Sequence, residues 1–251
     1  MRLRLIACEV LAREVYFCAA RSKNVIDIEL VEKGLHEKPE TLRARLQQHI
    51  DETRDGPYQA ILLGYGLCSN SVAGLLARQA PLVIPRAHDC ITLYLGSMER
   101  YNSEFSSHPG TFYYTADYIE RPSTTGEWAA LGSSLTADLE ATYNEYVEKY
   151  GKDNADYLME VMGAWRKHYT RSAFIDMGVI PPGDYERQAR EEAERRSWLF
   201  ERLKGDMALL CQMLEGDWPE EKFLIVQPGQ KVVATYDERI IGCSGCSEGG
   251  D

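Results

Sequence analysis

A chain of 251 residues, 44% hydrophobic and 27% charged, can bury the core of one large domain or two small ones. Its net charge of -11 excludes the basic field that a general nucleic-acid surface needs. No apolar run approaches the roughly 20 residues that span a bilayer, and residues 1–21 lack the apolar core and cleavage site of a signal peptide, so a cytoplasmic protein without membrane or nucleic-acid partners is expected.

Residues 2–7 read as a short apolar strand ended by Cys8, and residues 9–21 as a helix with Leu11, Val15 and Cys18 at i, i+4 and i+7. Residues 25–31 alternate as a strand. Pro39 fits the first turn of a helix running to Thr53, with Leu42, Leu46 and Ile50 on one face. Residues 58–65, "YQAILLGY", form an apolar strand of the kind covered on both faces, and residues 66–70 turn it into a short helix over 71–79. A buried strand at 81–85 and a helix over 91–105 follow. This alternation predicts an α/β fold with an open, mainly parallel sheet and helices on both faces.

Further on, residues 111–119 read as an aromatic strand and 121–128 as a loop. Helices are expected over 137–150 and 154–169, then a strand over 172–179 stopped by Pro181-Pro182-Gly183. Residues 185–215 read as a long helical region with a charged solvated face, broken near Gly205-Asp206 and stopped by Gly216. Residues 222–226 are a last strand. The repeated element order allows two similar halves, about 1–122 and 123–237, within one α/β domain of residues 1–237. Residues 238–251, with the Cys-x-x-Cys pair Cys243 and Cys246, read as a flexible tail.

In a reducing cytosol the seven cysteines are expected as thiols and not as a disulfide framework. Cys18 and Cys211 fall on apolar helical faces and read as core. Cys8, Cys68 and Cys90 share another context, each at or just past the C-terminal end of a predicted strand. In an open parallel sheet those ends lie on one edge, where such folds bind ligands. A thiol at a helix N-terminus is drawn towards thiolate, the form that attacks carbon or binds a soft metal. Three thiolates can hold zinc with an open fourth position, or three irons of a [4Fe-4S] cluster.

The residues around them extend this expectation. His88 can be a fourth ligand or a proton-transfer group, and Asp89 can orient it or cap the next helix. Glu9 is either a first-turn carboxylate or a second proton-transfer group. Gly64 and Gly66 permit a tight turn or the close approach of a cofactor, and Arg86 can bind its anionic part. "GYGLCSNS" lacks the third glycine of a dinucleotide fingerprint and the Lys-Ser/Thr of a P-loop. Each feature also has a plain structural explanation: a strand-end cysteine is a small apolar residue, and a single histidine is usually a hydrogen-bonded structural one. The tyrosines of residues 110–122 can line a pocket wall, but such stripes more often serve as half-buried core, and they are left out of the catalytic set.

The segments "ACEVLARE", "GLHEKPETLRARLQ", "AILLGYGLCSN", "PLVIPRAHDCITLYLGS" and "FLIVQPGQ" together resemble the uncharacterised DUF1638 family, from the first strand to about Asp237. The resemblance implies an anaerobic setting beside corrinoid-dependent methyl-transfer proteins, and it places Cys8, Cys68, His88 and Cys90 in the family motifs. Three readings follow. One is a metal-dependent enzyme of one-carbon metabolism acting on a small-molecule substrate, either a zinc methyltransferase or an iron–sulfur oxidoreductase. The second is a non-catalytic carrier of metal or corrinoid, or an accessory protein partnering a corrinoid protein or methyltransferase; the Asp-x-His-x-x-Gly signature of histidine-on corrinoid binding is absent, since Asp89 follows His88. The third is a small-molecule binding domain whose cysteines are structural.

Overall fold

The apolar runs of the sequence become neighbouring strands in a computed structural model that describes residues 1–35, 38–53, 57–121, 147, 152, 169–181, 183–235 and 237–245. The strands are β1 (Arg2–Cys8), β2 (Val25–Val31), β3 (Ala60–Gly64), β4 (Leu82–Pro85), β5 (Thr111–Tyr114), β6 (Arg171–Asp176), β7 (Leu199–Lys204), β8 (Phe223–Val226), β9 (Val232–Ala234) and β10 (Ile241–Cys243). The helices are α1 (Ala12–Arg21), α2 (Pro39–Glu52), α3 (Cys90–Leu95), α4 (Met98–Ser107), α5 (Ala116–Glu120), α6 (Gly183–Arg196) and α7 (Ala208–Glu215). None is long and apolar enough to cross a membrane.

The main sheet has the order β2-β1-β3-β4-β8, parallel except for β8, which runs antiparallel to β4. Side chains alternate across it with period two. Leu3, Leu5, Ala7, Leu62 and Val83 point into one core with α1, α3 and α7. Ile6, Ile61, Leu63, Leu82 and Ile84 point into the other with α2 and the antiparallel β9–β10 hairpin. With both faces covered, the sheet explains why its central strands read as unbroken apolar runs. A second, parallel sheet of order β5-β6-β7 packs Phe112, Tyr114, Ala173 and Phe174 into the first of these cores. The architecture is thus α/β with a mainly parallel open sheet.

Several local expectations are corrected. Residues 71–79 form turns and no helix, because Cys68, Ser69 and Asn70 all take left-handed backbone (φ 44°, 56° and 67°) and Gly74 follows at φ 93°. The helix expected over 91–105 is two: Gly96 at φ 82° ends α3, and the Ser97 hydroxyl accepts the Arg100 N–H to start α4. The 111–119 strand stops at Tyr114, where Thr115 caps α5. Ser197 at φ 57° ends α6, and residues 199–204 become β7, paired in parallel with β6 and not helical. The tail expected to be flexible begins with an ordered strand, β10, on which Ile241 and Cys243 are buried. The helices expected over 137–150 and 154–169 lie outside the described residues, Val147 and Tyr169 apart.

The cysteine expectation is corrected too. Cys18 on α1 and Cys211 on α7 are joined by a disulfide across a sequence separation of 193 residues. Cys243 is also disulfide-bonded, and Cys246 lies outside the described residues. Loop closure on the scale of the Cys18–Cys211 bond removes much unfolded-state freedom, about 5 kcal/mol in the chain-entropy model. Reduction, or Cys211→Ser, is therefore expected to lower stability to urea by about 3–5 kcal/mol. An unchanged urea midpoint after reduction would contradict this.

Where α1 meets α5, two carboxyls are buried together. Glu14 is 3% exposed and Asp117 1% exposed, and Arg13 pairs with Asp117 at 3.1 Å. Burial, and then the Asp117 charge, push the Glu14 carboxyl up to about 8. The folded state therefore keeps a proton that the unfolded chain releases near 4.5, so stability is full at low pH and falls as pH rises to about 8. Glu14→Gln is expected to flatten this decline and to exceed the wild type above about pH 8, by on the order of a few kcal/mol. Parallel stability–pH curves for the two proteins would refute it.

Candidate functional site

The connections leave the main sheet in opposite directions from β1 and β3: β2 lies beside β1 on one side, and β4 beside β3 on the other. The topological switch point, where open α/β sheets bind ligands, therefore lies between β1 and β3. A cavity of about 120 Å³ sits there. Cys8 and Val10 line it from the end of β1, Lys33 from beyond β2, Gly64, Tyr65, Cys68 and Ser69 from the end of β3, and His88, Asp89 and Cys90 from beyond β4. Tyr118 of α5 closes one side.

Two turns build the β3–β4 side. The Leu67 N–H donates to the Ala87 carbonyl at 2.8 Å, and the Cys68 N–H to the His88 carbonyl at 2.9 Å. A β-carbon on residue 66 would lie 2.6 Å from the Asp89 nitrogen, so glycine is required for the turns to touch. The Asp89 carboxylate accepts the Ile91 N–H at 2.9 Å and caps α3, whose first residue is Cys90. The exposed His88 ring lies against Tyr101 with centroids 5.4 Å apart. Lys33 Nζ donates to the Tyr118 carbonyl at 3.1 Å and sits 4.0 Å from that residue's ring centroid.

Burial governs the electrostatics. It pushes the Cys8 thiol up to about 11, against the opposing hydrogen bonds from Val10 and Tyr65, and it raises Cys68 and Cys90 further, helped by the Asp89 charge. The Asp89 carboxyl is raised by burial to about 6, and the His88 imidazole is lowered by burial towards its neutral form. The Tyr65 hydroxyl is buried beside Cys8 and is likewise kept protonated. At neutral pH the three sulfurs are thus thiols. The thiolates expected from helix dipoles do not arise, since Cys68 starts no helix and Cys8 precedes only a short 3-10 turn.

Among the described residues no group of three or more His, Cys, Asp or Glu side chains is arranged to hold a metal ion. This overturns the expected zinc or iron–sulfur centre on Cys8, Cys68, Cys90 and His88, and with it the methyl-transfer or redox enzyme and the metal carrier built on such a centre. The four residues still share one cavity, the cysteines partly buried and His88 exposed. Other expected roles are redirected. The Glu9 carboxylate accepts the Lys33 N–H at 2.8 Å and pairs with Arg121 at 3.4 Å, outside the cavity lining. Gly64 packs against Ala7, where a β-carbon would approach to 2.6 Å, and lines the cavity, while Gly66 serves the turn contact. Arg86 points away to the β8 side of the sheet, where it binds backbone carbonyls.

Val10, Lys33, Tyr65 and Ser69 line the cavity without having been singled out by the sequence, whereas Tyr118 belongs to the tyrosine stretch 110–122 that suits a pocket wall. Lys33 stands just past β2 as Cys8 ends β1, so the same strand-end logic finds it once charge is admitted beside sulfur. Tyr65 directly follows β3.

A family model described as "Protein of unknown function (DUF1638)" matches residues 30–214. That description carries no link to corrinoids or methyl transfer. No curated protein and no solved structure matches the chain.

Because Cys8 is held near 11, its alkylation by iodoacetamide is expected to be slow at neutral pH and to rise about tenfold per pH unit, still climbing at about pH 10. Peptide-resolved mass spectrometry of the alkylated protein measures this. A plateau near pH 9, where an ordinary cysteine levels off, would contradict the protonated site.

Proposed function

The chain belongs to the DUF1638 family, and we propose that it is a small-molecule binding protein whose ligand enters the cavity between the ends of β1 and β3. One observation carries this reading: residues from four strand ends far apart in sequence line a single cavity at the sheet's switch point. An apolar cavity of roughly 150 Å³ accepts a benzene-sized molecule, so about 120 Å³ suits a compact ligand of that order. Three neutral thiols, Val10 and the tyrosine rings offer it a polarizable wall. Lys33 and His88 supply the polar groups that orient such a ligand.

Backbone strain supports the same place. Three consecutive non-glycine residues, Cys68, Ser69 and Asn70, hold left-handed backbone where the turn meets the cavity. Such conformations cost about 1–3 kcal/mol each and cluster at ligand clamps. The turn is held by the Ser71 hydroxyl donating to the Cys68 carbonyl at 2.6 Å and by Arg43 donating to the Asn70 carbonyl at 2.8 Å.

A fragment set of neutral and singly charged molecules with up to about ten heavy atoms tests the proposal. Any fragment that binds by NMR is added during iodoacetamide alkylation, and each cysteine is followed by mass spectrometry. A ligand in the cavity is expected to slow alkylation of Cys8, Cys68 and Cys90 together, at least tenfold at saturation and with one shared half-saturation point. Lys33→Met is expected to weaken fragments that carry an acceptor group. Binding that leaves all three rates unchanged, or the absence of any binding fragment, would overturn the proposal.

A further inference from the structure

A second cavity, of about 610 Å³, lies on the other side of β4, between β8 and the β9–β10 hairpin. Its volume falls within the roughly 300–1,000 Å³ typical of ligand sites. Arg86 is 7% exposed and reaches this cavity from the end of β4. Three of its five N–H groups are committed. Nε donates to the Glu220 carbonyl at 2.8 Å, and Nη1 donates to the carbonyls of Arg239 and Ile241. Nη2 makes no hydrogen bond to the described protein, and no described carboxylate pairs with the guanidinium, although it lines a cavity that contains two of them.

The carbonyl clamp fixes the plane of the guanidinium and puts no described carboxylate in contact with it. A buried cation without a counter-ion costs free energy that hydrogen bonds to neutral oxygens offset only in part. Burial, and then the positive charge of Arg239 in the same cavity, lower the Arg86 pKa, against the opposing charges of Glu220 and Asp237. Trp218 and Phe223 form an apolar wall.

We propose that this cavity is a separate site for a small molecule bearing one compact oxyanion, a carboxylate or a phosphate, which pairs with Arg86 Nη2 and Arg239 while its apolar part rests on Trp218 and Phe223. Nη2 of a guanidinium held in a fixed plane offers an oxyanion charge-assisted N–H donors, and Arg239 supplies a second cation beside it. Glu220 and Asp237 also line the cavity, so extended polyanions are disfavoured, in keeping with the net charge of -11. The site shares no lining residue with the thiol-walled cavity, so it stands whether or not that cavity binds a ligand.

Titration of the full-length protein with inorganic phosphate, acetate and neutral acetamide at constant ionic strength tests the site, read by NMR at the Arg86 Nε–H and the Trp218 indole N–H. At least one of the two anions is expected to saturate both signals, and the one that does identifies the oxyanion. Acetamide is expected to leave them unmoved. Arg239→Ala, at an exposed position that folding does not need, is expected to weaken binding at least threefold, and Arg86→Gln at least tenfold. If Arg86→Gln does not fold, Arg239→Ala decides alone. Failure of both anions to saturate, equal binding of acetamide, or unchanged affinity in Arg239→Ala would overturn the proposal.

Discussion

The contact between two turns at the C-terminal edge of the main sheet organises everything around it. The backbone at residue 66 lies so near that of Ala87 and Asp89 that a β-carbon there would sit 2.8 Å and 2.6 Å from their atoms. Gly64, one step earlier, lets the end of β3 close onto Ala7 of β1 in the same way. Two glycines thus draw three strand ends within a side chain's reach of one another. Cys8, Cys68, His88 and Cys90 meet because the backbones beneath them must touch.

That closeness also decides what the sulfurs are. A helix N-terminus favours thiolate by up to about 1–2 kcal/mol, whereas withdrawing the charge from water can raise a thiol by several pK units. Of the three cysteines only Cys90 opens an α-helix, six residues long, and Asp89 places a carboxylate at the same helix end. Desolvation wins at all three positions, with Asp89 adding to it at Cys68 and Cys90. The chemistry that remains is that of soft, uncharged sulfurs beside Lys33 and the Asp89 carboxyl.

How far the sequence can be read follows the range of the forces involved. β2, α2, β4 and β8 lie almost where alternation and helical spacing put them, because each has an apolar pattern and a Pro, Gly or charged boundary. The strand-end rule brought Cys8, Cys68 and Cys90 to one edge without knowledge of strand order. What stayed hidden rests on contacts between distant segments. Residues 199–204 pass for helix until β6 is seen beside them, since the dense charge of α6 continues into Glu201, Arg202 and Lys204. Arg86 stands two residues from His88, yet its N–H donates to the Lys222 carbonyl at 2.8 Å and its side chain serves the opposite cavity. Neither Cys18 nor Cys211 carries a local sign that the other is its partner.

The Cys18–Cys211 bond has a consequence for how the protein is made. Its two halves are synthesised 193 residues apart, so at about 5–20 residues per second Cys18 leaves the ribosome roughly 10–40 s before its partner exists. Cys8 is already made and Cys68 and Cys90 are translated within that interval, and each is a competing thiol until β1, β3 and β4 assemble and bury it. The order of assembly thus matters as much as the bond: the central strands must close over their own sulfurs before α7 arrives, so that Cys211 meets the first helix and nothing else.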